Sequence, residues 1–311
     1  MSGPSHVRGM VSMVVSMALF ITNDTLLKVT MHEVPLGQAL ALRSLFAGVL
    51  LLALVARAGE LGLVLHAFRP QVLARSGLDT LTTVLYVGAL GVMPIASTTT
   101  IYLSAPLITV ALAVPLLGER VSLPQWCAVF VGFTGAVIVM RPDPATFQWV
   151  ALLPLVAALS GSLRDIVTRG IAMEIPGSVV GVSTTLVLGL VCALSAPFEP
   201  WRVPSALTVA QLAASAFTFA LGTLALVYAF RSAPVSLISP LRYVLVFGAI
   251  VSGYTVFGDL PDPFAALGMV LVVGAGLYSI NAERRRSRRA GRADAAGAPA
   301  CPPAALAAPK D

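Results

Sequence analysis

The chain has 311 residues, of which 57% are hydrophobic and only 11% are charged. Soluble domains usually carry about 25% charged residues, so a soluble fold of this composition would expose large apolar patches and aggregate. The net charge of +6 is concentrated in six arginines between Arg284 and Arg292, without the motifs or interleaved aromatic residues of a nucleic-acid-binding surface.

Long apolar runs follow one another along the chain, separated by short polar segments. Each is long enough to cross about 30 Å of hydrocarbon as a helix, and they do not alternate as the strands of a membrane β-barrel would. They predict ten transmembrane helices, at residues 9–30, 36–56, 72–92, 95–117, 123–140, 148–168, 178–197, 207–230, 234–257 and 263–281. Pro106 and Pro240 predict kinks in the fourth and ninth helices.

The positive charges outside these spans predict the orientation. With residues 1–8 in the cytoplasm, the inner segments hold most of the arginines and the outer segments hold only Lys28, Arg141 and Arg202. Ten spans bring both termini to the cytoplasmic side, and a bacterial inner membrane is the expected location. Residues 282–311, rich in Arg, Ala and Pro, predict a disordered basic tail that contacts anionic lipid.

Residues 23–35 and 164–176 repeat one pattern of charge and spacing. A shift of 141 positions aligns four pairs: Asp24 with Asp165, Lys28 with Arg169, Glu33 with Glu174 and Pro35 with Pro176. Further along, a shift of 140 aligns Tyr102 with Arg242. The pattern predicts two homologous five-span repeats, at residues 9–140 and 148–281.

Because five is an odd number, the second repeat must cross the membrane in the opposite sense to the first. The predicted fold class is therefore all-α, a ten-transmembrane-helix bundle of two inverted five-helix repeats. Such repeats are typical of secondary transporters, whose substrate site lies near the middle of the membrane between the halves.

Charged residues within predicted spans are costly to place there and often mark function. We select six of them and four intramembrane tyrosines as candidates for substrate binding or gating: Asp24, Arg43, Asp79, Arg164, Asp165, Arg242, Tyr86, Tyr102, Tyr228 and Tyr243. The topology predicts one set in the outer half of the membrane (Asp24, Arg43 and Tyr102) and one in the inner half (Asp79, Asp165 and Arg242, with Arg164 beside them). Structural ion pairs and ordinary packing of the aromatic rings are the alternatives.

No catalytic or metal-binding pattern stands out. The cysteines Cys127, Cys192 and Cys301 have no paired spacing, and no Walker A, H-E-x-x-H or G-x-S-x-G motif is found. We therefore expect neither an enzyme nor a cofactor or metal. The expected partners are a small-molecule substrate and the lipid bilayer, while small residues in the fifth and tenth spans leave a homodimer open.

Several motifs resemble those of one transporter family. These are N-D-x-x-x-K at 23–28, R-D-x-x-x-R at 164–169, S-P-L-R-Y at 239–243 and G-D-L-P-D at 258–262, together with Arg43 in the second span. They are similar to the EamA branch of the drug/metabolite transporter superfamily, in particular to bacterial S-adenosylmethionine and riboflavin uptake carriers. The resemblance implies a central cavity lined by spans 1–4 and 6–9, with spans 5 and 10 peripheral.

The sequence thus predicts a secondary transporter that moves a small polar or zwitterionic metabolite, S-adenosylmethionine- or riboflavin-like, by alternating access. An exporter of amino acids or toxic metabolites on the same fold is the first alternative. A membrane scaffold or lipid-handling protein is the second, and it predicts that all the buried charges pair.

Overall fold

A computed structural model describes residues 4–117, 123–140, 149–169, 171, 175–232 and 239–297. Within these ranges every regular element is a helix. Seven helices are long and apolar enough to cross a membrane: Val7–Thr30, Leu36–Arg57, Ile95–Leu116, Leu123–Met140, Trp149–Thr168, Ala206–Leu226 and Pro263–Ala282. Gly177–Ala193 and Leu241–Phe257 are shorter apolar helices. The chain therefore has the build of a multi-pass membrane protein.

We number the α-helices in chain order. They are α1 (Pro4–Thr30), α2 (Leu36–Arg57), α3 (Pro70–Leu90), α4 (Ile95–Tyr102), α5 (Ala105–Leu117), α6 (Leu123–Met140), α7 (Leu152–Arg169), α8 (Gly177–Ala193), α9 (Ala206–Ser232), α10 (Val244–Ser252) and α11 (Pro263–Gly297). Short 3-10 helices cover Leu61–Phe68, Trp149–Ala151 and Ser239–Tyr243, and a π-helical turn at Gly253–Phe257 extends α10.

The described parts of the ten predicted spans are mostly helical. Two helices end earlier than predicted, α3 at Leu90 and α8 at Ala193, and the third and fourth spans differ in detail. The third span, α3, is long enough to cross a membrane but is not among the seven long apolar helices, because Arg75, Asp79 and several hydroxyl side chains lower its hydropathy. The fourth span is divided at Leu103 and Ser104, between α4 and α5. Pro106 cannot donate the backbone hydrogen bond that a continuous helix would direct to the Tyr102 carbonyl. At the break itself, Ser104 Oγ donates to the Ile101 carbonyl at 2.7 Å.

The C-terminal segment differs from its prediction. The backbone helix α11 continues to Gly297, whereas disorder was predicted from residue 282. Alanine, arginine and glutamate all favour the helix, so the segment continues the span that precedes it. The tail beyond Gly297, including Cys301, lies outside the described residues, as do Arg120, Arg141, Glu174 and Pro234.

Four helix pairs make the main contacts of the fold: α1 with α9, α3 with α7, α2 with α8, and α6 with α11. Each joins a helix from residues 9–140 to one from residues 148–281. The core holds fully buried side chains such as Met13, Leu40, Leu90 and Leu212. Large apolar side chains such as Phe130 stay exposed, as lipid-facing residues do.

Glycines bring α6 and α11 close together. A Cβ added to Gly135 would lie 2.8 Å from the Gly268 carbonyl oxygen, and one added to Gly268 would lie 2.6 Å from the Gly135 carbonyl oxygen. Both distances are too short for a side chain, so the two backbones are in direct contact, as in other membrane helix pairs built on small residues.

Candidate functional site

The first polar group in the interior surrounds Asp24 on α1. Asp24 is 8% exposed, and its two carboxylate oxygens accept hydrogen bonds from Asn23 Nδ2 and Tyr86 Oη, both at 2.9 Å. Thr99 Oγ1 lies 3.0 Å from Tyr86 Oη, and Ser215 Oγ on α9 donates to Asn23 Oδ1 at 2.8 Å. We call these five residues the carboxylate–tyrosine cluster.

The sequence of α1 explains how this cluster meets α9. Ser12, Ser16 and Asn23 lie on one face of the helix because they are spaced at about one and two turns. Ser12 Oγ donates to the Ala225 carbonyl at 2.9 Å and Ser16 Oγ to the Gly222 carbonyl at 2.7 Å. Short side chains on both helices permit the close approach that brings Asn23 to Ser215.

The second polar group lies where α3 meets α7, and consists of Arg75, Asp79, Arg164 and Asp165. Arg164 Nη1 donates to Asp79 Oδ1 at 2.5 Å, and its Nη2 donates to Asp165 Oδ1 at 2.8 Å. Arg75, one turn before Asp79, lies 3.8 Å from the other Asp79 oxygen. We call this the ion-pair cluster. In it, each arginine faces a carboxylate, as a buried charge requires.

Tyr102 lies between the two clusters. Its ring centroid is 4.9 Å from that of Tyr86. A Cβ added to Gly161 of α7 would lie 3.4 Å from Tyr102 Oη, so the tyrosine also reaches the helix that carries Arg164. Tyr102 ends α4 at the break in the fourth span, and the two clusters are therefore joined through a point where the helix is interrupted.

Arg43 on α2 is buried, at 4% exposed, but it belongs to neither cluster. Its guanidinium carbon lies 4.4 Å from the ring centroid of Phe219 on α9. Its Nε is buried and has no hydrogen-bond partner, and no ion pair to Arg43 is formed by the described residues.

The remaining predicted residues lie apart from both clusters. Tyr228 is 50% exposed and Tyr243 is 5% exposed. Tyr243 packs tightly against Gly276 of α11, and its buried hydroxyl has no hydrogen-bond partner. Arg242 is half-buried. None of the three is brought to Asp24 or Arg164 by a described contact.

The structure also adds residues that the sequence did not indicate. Ser215, Thr99 and Phe219 were not selected, nor was Arg75, which lies inside α3. The four-residue spacing of Arg75 and Asp79 was the available signal, because it places both on one helical face. Lys28, for its part, forms no pair with Asp24, and its Nζ donates to the Met93 carbonyl at 2.5 Å.

A groove of about 470 Å³ lies between α6 and α11, and none of its lining residues belongs to either cluster. It is lined by Leu123, Pro124, Cys127, Ala128, Val131, Gly274, Ala275 and Tyr278. The lining is apolar and offers no charged group. Across the described ranges, no group of three or more histidine, cysteine or carboxylate side chains is arranged to hold a metal ion.

Comparison with protein families identifies the first half of the chain. Residues 7–141 match the EamA-like transporter family. The chain carries an EamA-family domain. This domain contains the helices that carry Asp24, Arg43, Asp79, Tyr86 and Tyr102. The match confirms the resemblance seen in the sequence motifs.

Named relatives of the chain are transporters. It is 25% identical to the S-adenosylmethionine uptake transporter of Rickettsia conorii, over 64% of this chain and 68% of that protein. It is 28% identical to the riboflavin transporter of Rhizobium johnstonii, over 70% and 72%. It is also 24% identical to the pseudopaline exporter CntI of Pseudomonas aeruginosa, over 86% and 94%. These relatives and the apolar helices together fit a multi-pass membrane transporter.

One solved crystal structure shares the fold. It superposes with a TM-score of 0.63 at 18% sequence identity, covering 89% of this chain and 98% of that chain. The likeness therefore extends beyond the EamA-family domain to the second half of the molecule.

Proposed function

We propose that this EamA-family protein is a secondary transporter that moves a small polar or zwitterionic metabolite by alternating access. The observation that carries the proposal is the position of the two polar clusters. Each lies in the interior, where a helix from the first half packs on one from the second, and Tyr102 lies between them. Buried polar groups of this kind in a membrane bundle are characteristic of a substrate path.

The packing of the helices supports an inverted repeat. If spans 1–5 correspond to spans 6–10, the contact of α1 with α9 corresponds to that of α7 with α3, and the contact of α2 with α9 to that of α8 with α3. The contacts of α2 with α8 and of α6 with α11 correspond to themselves. Each main pairing thus has an equivalent under exchange of the halves, which is the arrangement that alternating access uses.

The substrate proposed is S-adenosylmethionine- or riboflavin-like, since two of the relatives carry those names. The proposed location is a bacterial inner membrane, and the distribution of the arginines favours cytoplasmic termini. Uptake is proposed because one relative is named an uptake transporter. Contacts between the basic tail and anionic lipids, and a homodimer, are further proposals. The unpaired Nε of Arg43 weighs against a scaffold, for which every buried charge should pair.

An exporter is the second candidate. The similarity to a pseudopaline exporter extends over 86% of this chain, so the same fold also serves outward transport. An exporter would show substrate flux driven from the cytoplasmic face, with little uptake from the outer face.

The test is transport in proteoliposomes of the purified protein, with labelled S-adenosylmethionine and riboflavin, with and without a pH gradient. Asp24→Asn and Arg242→Ala are the site variants, and Glu60→Gln, which alters a residue outside both clusters that accepts from Ser178, is the control. We expect saturable uptake of one compound in the wild type and the control, and its loss in Asp24→Asn. Absence of uptake in the wild type, in either direction of the gradient, would refute the proposed substrates.

A further inference from the structure

Arg43, which is 4% exposed, and Arg164, whose side chain is 16% exposed, have opposite surroundings. Arg164 donates to Asp79 and to Asp165. Arg43 has no carboxylate within ion-pair distance among the described residues, and its Nε makes no hydrogen bond. A buried guanidinium without a counter-charge is strongly unfavourable. The fold therefore maintains at Arg43 a cation that its own described side chains do not neutralise.

The nearest carboxylate does not fill this role. Both oxygens of Asp24 are already engaged, by Asn23 and by Tyr86, and Asp24 acts on Arg43 only at longer range. The guanidinium carbon instead lies over the Phe219 ring, 4.4 Å from its centroid. A ring in this position fixes the plane of the guanidinium and leaves its N–H edge free to donate. The adjacent Ser44 is also buried, and its Oγ has no hydrogen-bond partner.

We propose that Arg43 is the specificity-determining residue for an oxyanion on the substrate, and that this oxyanion is a carboxylate. A guanidinium edge donates two parallel hydrogen bonds to a carboxylate. Asp24, held close by but unpaired with Arg43, favours a cation near that carboxylate. The substrate class is therefore a zwitterion with an amino-acid head group. The inference rests on the transport function proposed above and adds the chemical group that the site selects.

The first arm of the experiment needs no substrate. Thermal unfolding of the purified protein in detergent is compared for Arg43→Gln, Arg164→Gln and the wild type. If Arg43 is kept for a ligand, removing its uncompensated charge leaves the melting temperature unchanged or raises it. Arg164→Gln breaks two ion pairs and should melt at a clearly lower temperature. An Arg43→Gln protein that melts as low as Arg164→Gln would overturn the proposal, because Arg43 would then be structural.

The second arm compares two probes in proteoliposomes, S-adenosylmethionine and its decarboxylated analogue, which keeps the ammonium and sulfonium groups. The wild type should take up the carboxylate-bearing probe between about ten and a hundred times more efficiently than the analogue, as a charged hydrogen-bond pair predicts. Arg43→Gln should lose that preference, because its uptake of the carboxylate-bearing probe falls toward that of the analogue. A wild type that transports both probes equally would overturn the proposal.

The two arms separate the possible failures. Riboflavin has no carboxylate. If the wild type and Arg43→Gln transport riboflavin equally well, and neither takes up S-adenosylmethionine, then transport is supported and the carboxylate site is refuted. If nothing is transported, the proposed substrates fail, and the melting comparison still decides whether Arg43 is a structural residue or an unneutralised cation awaiting a ligand.

Discussion

The junction of α1 with α9 and the junction of α3 with α7 use equivalent positions in different ways. Asn23–Asp24 and Arg164–Asp165 are 141 residues apart, the spacing of the sequence repeat. In both pairs the first side chain donates to the second and also bonds across to the partner helix. Asn23 does so with neutral groups and accepts from Ser215, whereas Arg164 donates to the carboxylate of Asp79. The contact across the two helices is therefore neutral in one junction and ionic in the other.

This difference determines how much stability each junction loses when one of its side chains is substituted. Neutral hydrogen bonds contribute about 1 kcal/mol each, and their loss leaves a modest desolvation cost. A buried ion pair contributes little in net terms, but removing one partner strands a charge and costs several times more. The ionic junction should therefore be the more sensitive to single substitutions.

The largest effect should come from Asp79→Asn in α3. This change leaves Arg164 and Arg75 facing each other across a neutral amide, so we expect a loss of about 3 kcal/mol of unfolding free energy, measured by thermal unfolding in detergent. Asp165→Asn is the matched control. Its side chain is 43% exposed, and water should limit the loss to less than about 1 kcal/mol. Equal losses in the two variants would contradict the view that burial makes this junction sensitive.

Tyr86→Phe tests the carboxylate–tyrosine cluster. The variant removes the O–H that donates to Asp24 Oδ2 and leaves a buried carboxylate oxygen without its donor, which should cost about 2 kcal/mol in the same assay. Tyr102→Phe alters the neighbouring ring, which is tilted by 50° against Tyr86 and donates no hydrogen bond to Asp24, and it should change stability by less than about 0.5 kcal/mol. A larger loss for Tyr102 than for Tyr86 would reverse the roles assigned to the two rings.

Ser215→Ala should have a smaller effect, about 1 kcal/mol, because it removes one neutral hydrogen bond to Asn23. A double-mutant cycle with Asn23→Ala measures the coupling directly, and we expect about 1 kcal/mol. Coupling indistinguishable from zero would mean that α1 and α9 are held together by packing alone.

The smallest effect is expected at Glu33, in the turn after α1. Glu33 accepts from Ser205 N at 2.5 Å and from the Thr208 hydroxyl, at the start of α9. These hydrogen bonds lower the pKa of the exposed Glu33 carboxyl below its ordinary value of 4.5, the bond from Thr208 contributing most. A lowered pKa stabilises the fold above pH 4.5, and the contribution is lost as the pH falls through the folded-state value.

The melting temperature of the wild type should therefore slightly exceed that of Glu33→Gln at neutral pH, and the gap should close as the pH is lowered below 4.5. Thr208→Val is the companion variant, since it removes the hydroxyl that contributes most to the lowered pKa, and it should narrow the gap. A gap that persists in acid would show that Glu33 acts through shape and not through charge.

Much of the fold could be predicted because hydrocarbon imposes a minimum length on apolar runs. The break between α4 and α5 was predicted as a kink from Pro106. The helix that continues to Gly297 was not predicted, since an arginine-rich segment has a composition compatible with either disorder or a helix.

The candidate site was predicted less completely. The charges of Asp24, Asp79 and Arg164 stand out against an apolar background, so their selection needs no knowledge of the fold. The contact of Arg43 with Phe219 joins residues 176 positions apart in sequence. The sequence does not distinguish a phenylalanine that contacts a buried arginine from one that faces lipid. Only the packing of the helices shows that Phe219 contacts Arg43. Arg75 was not selected, because a charge near the end of a span is equally compatible with an interfacial position.

The groove between α6 and α11 has a practical use for such measurements. Cys127 lines it and is exposed, whereas Cys192 is buried. Once Cys301 is replaced, a maleimide dye should react with Cys127 in the folded protein and with Cys192 only after unfolding. The protein thus offers a natural attachment point for a spectroscopic reporter, on a surface where the label would leave both polar clusters untouched.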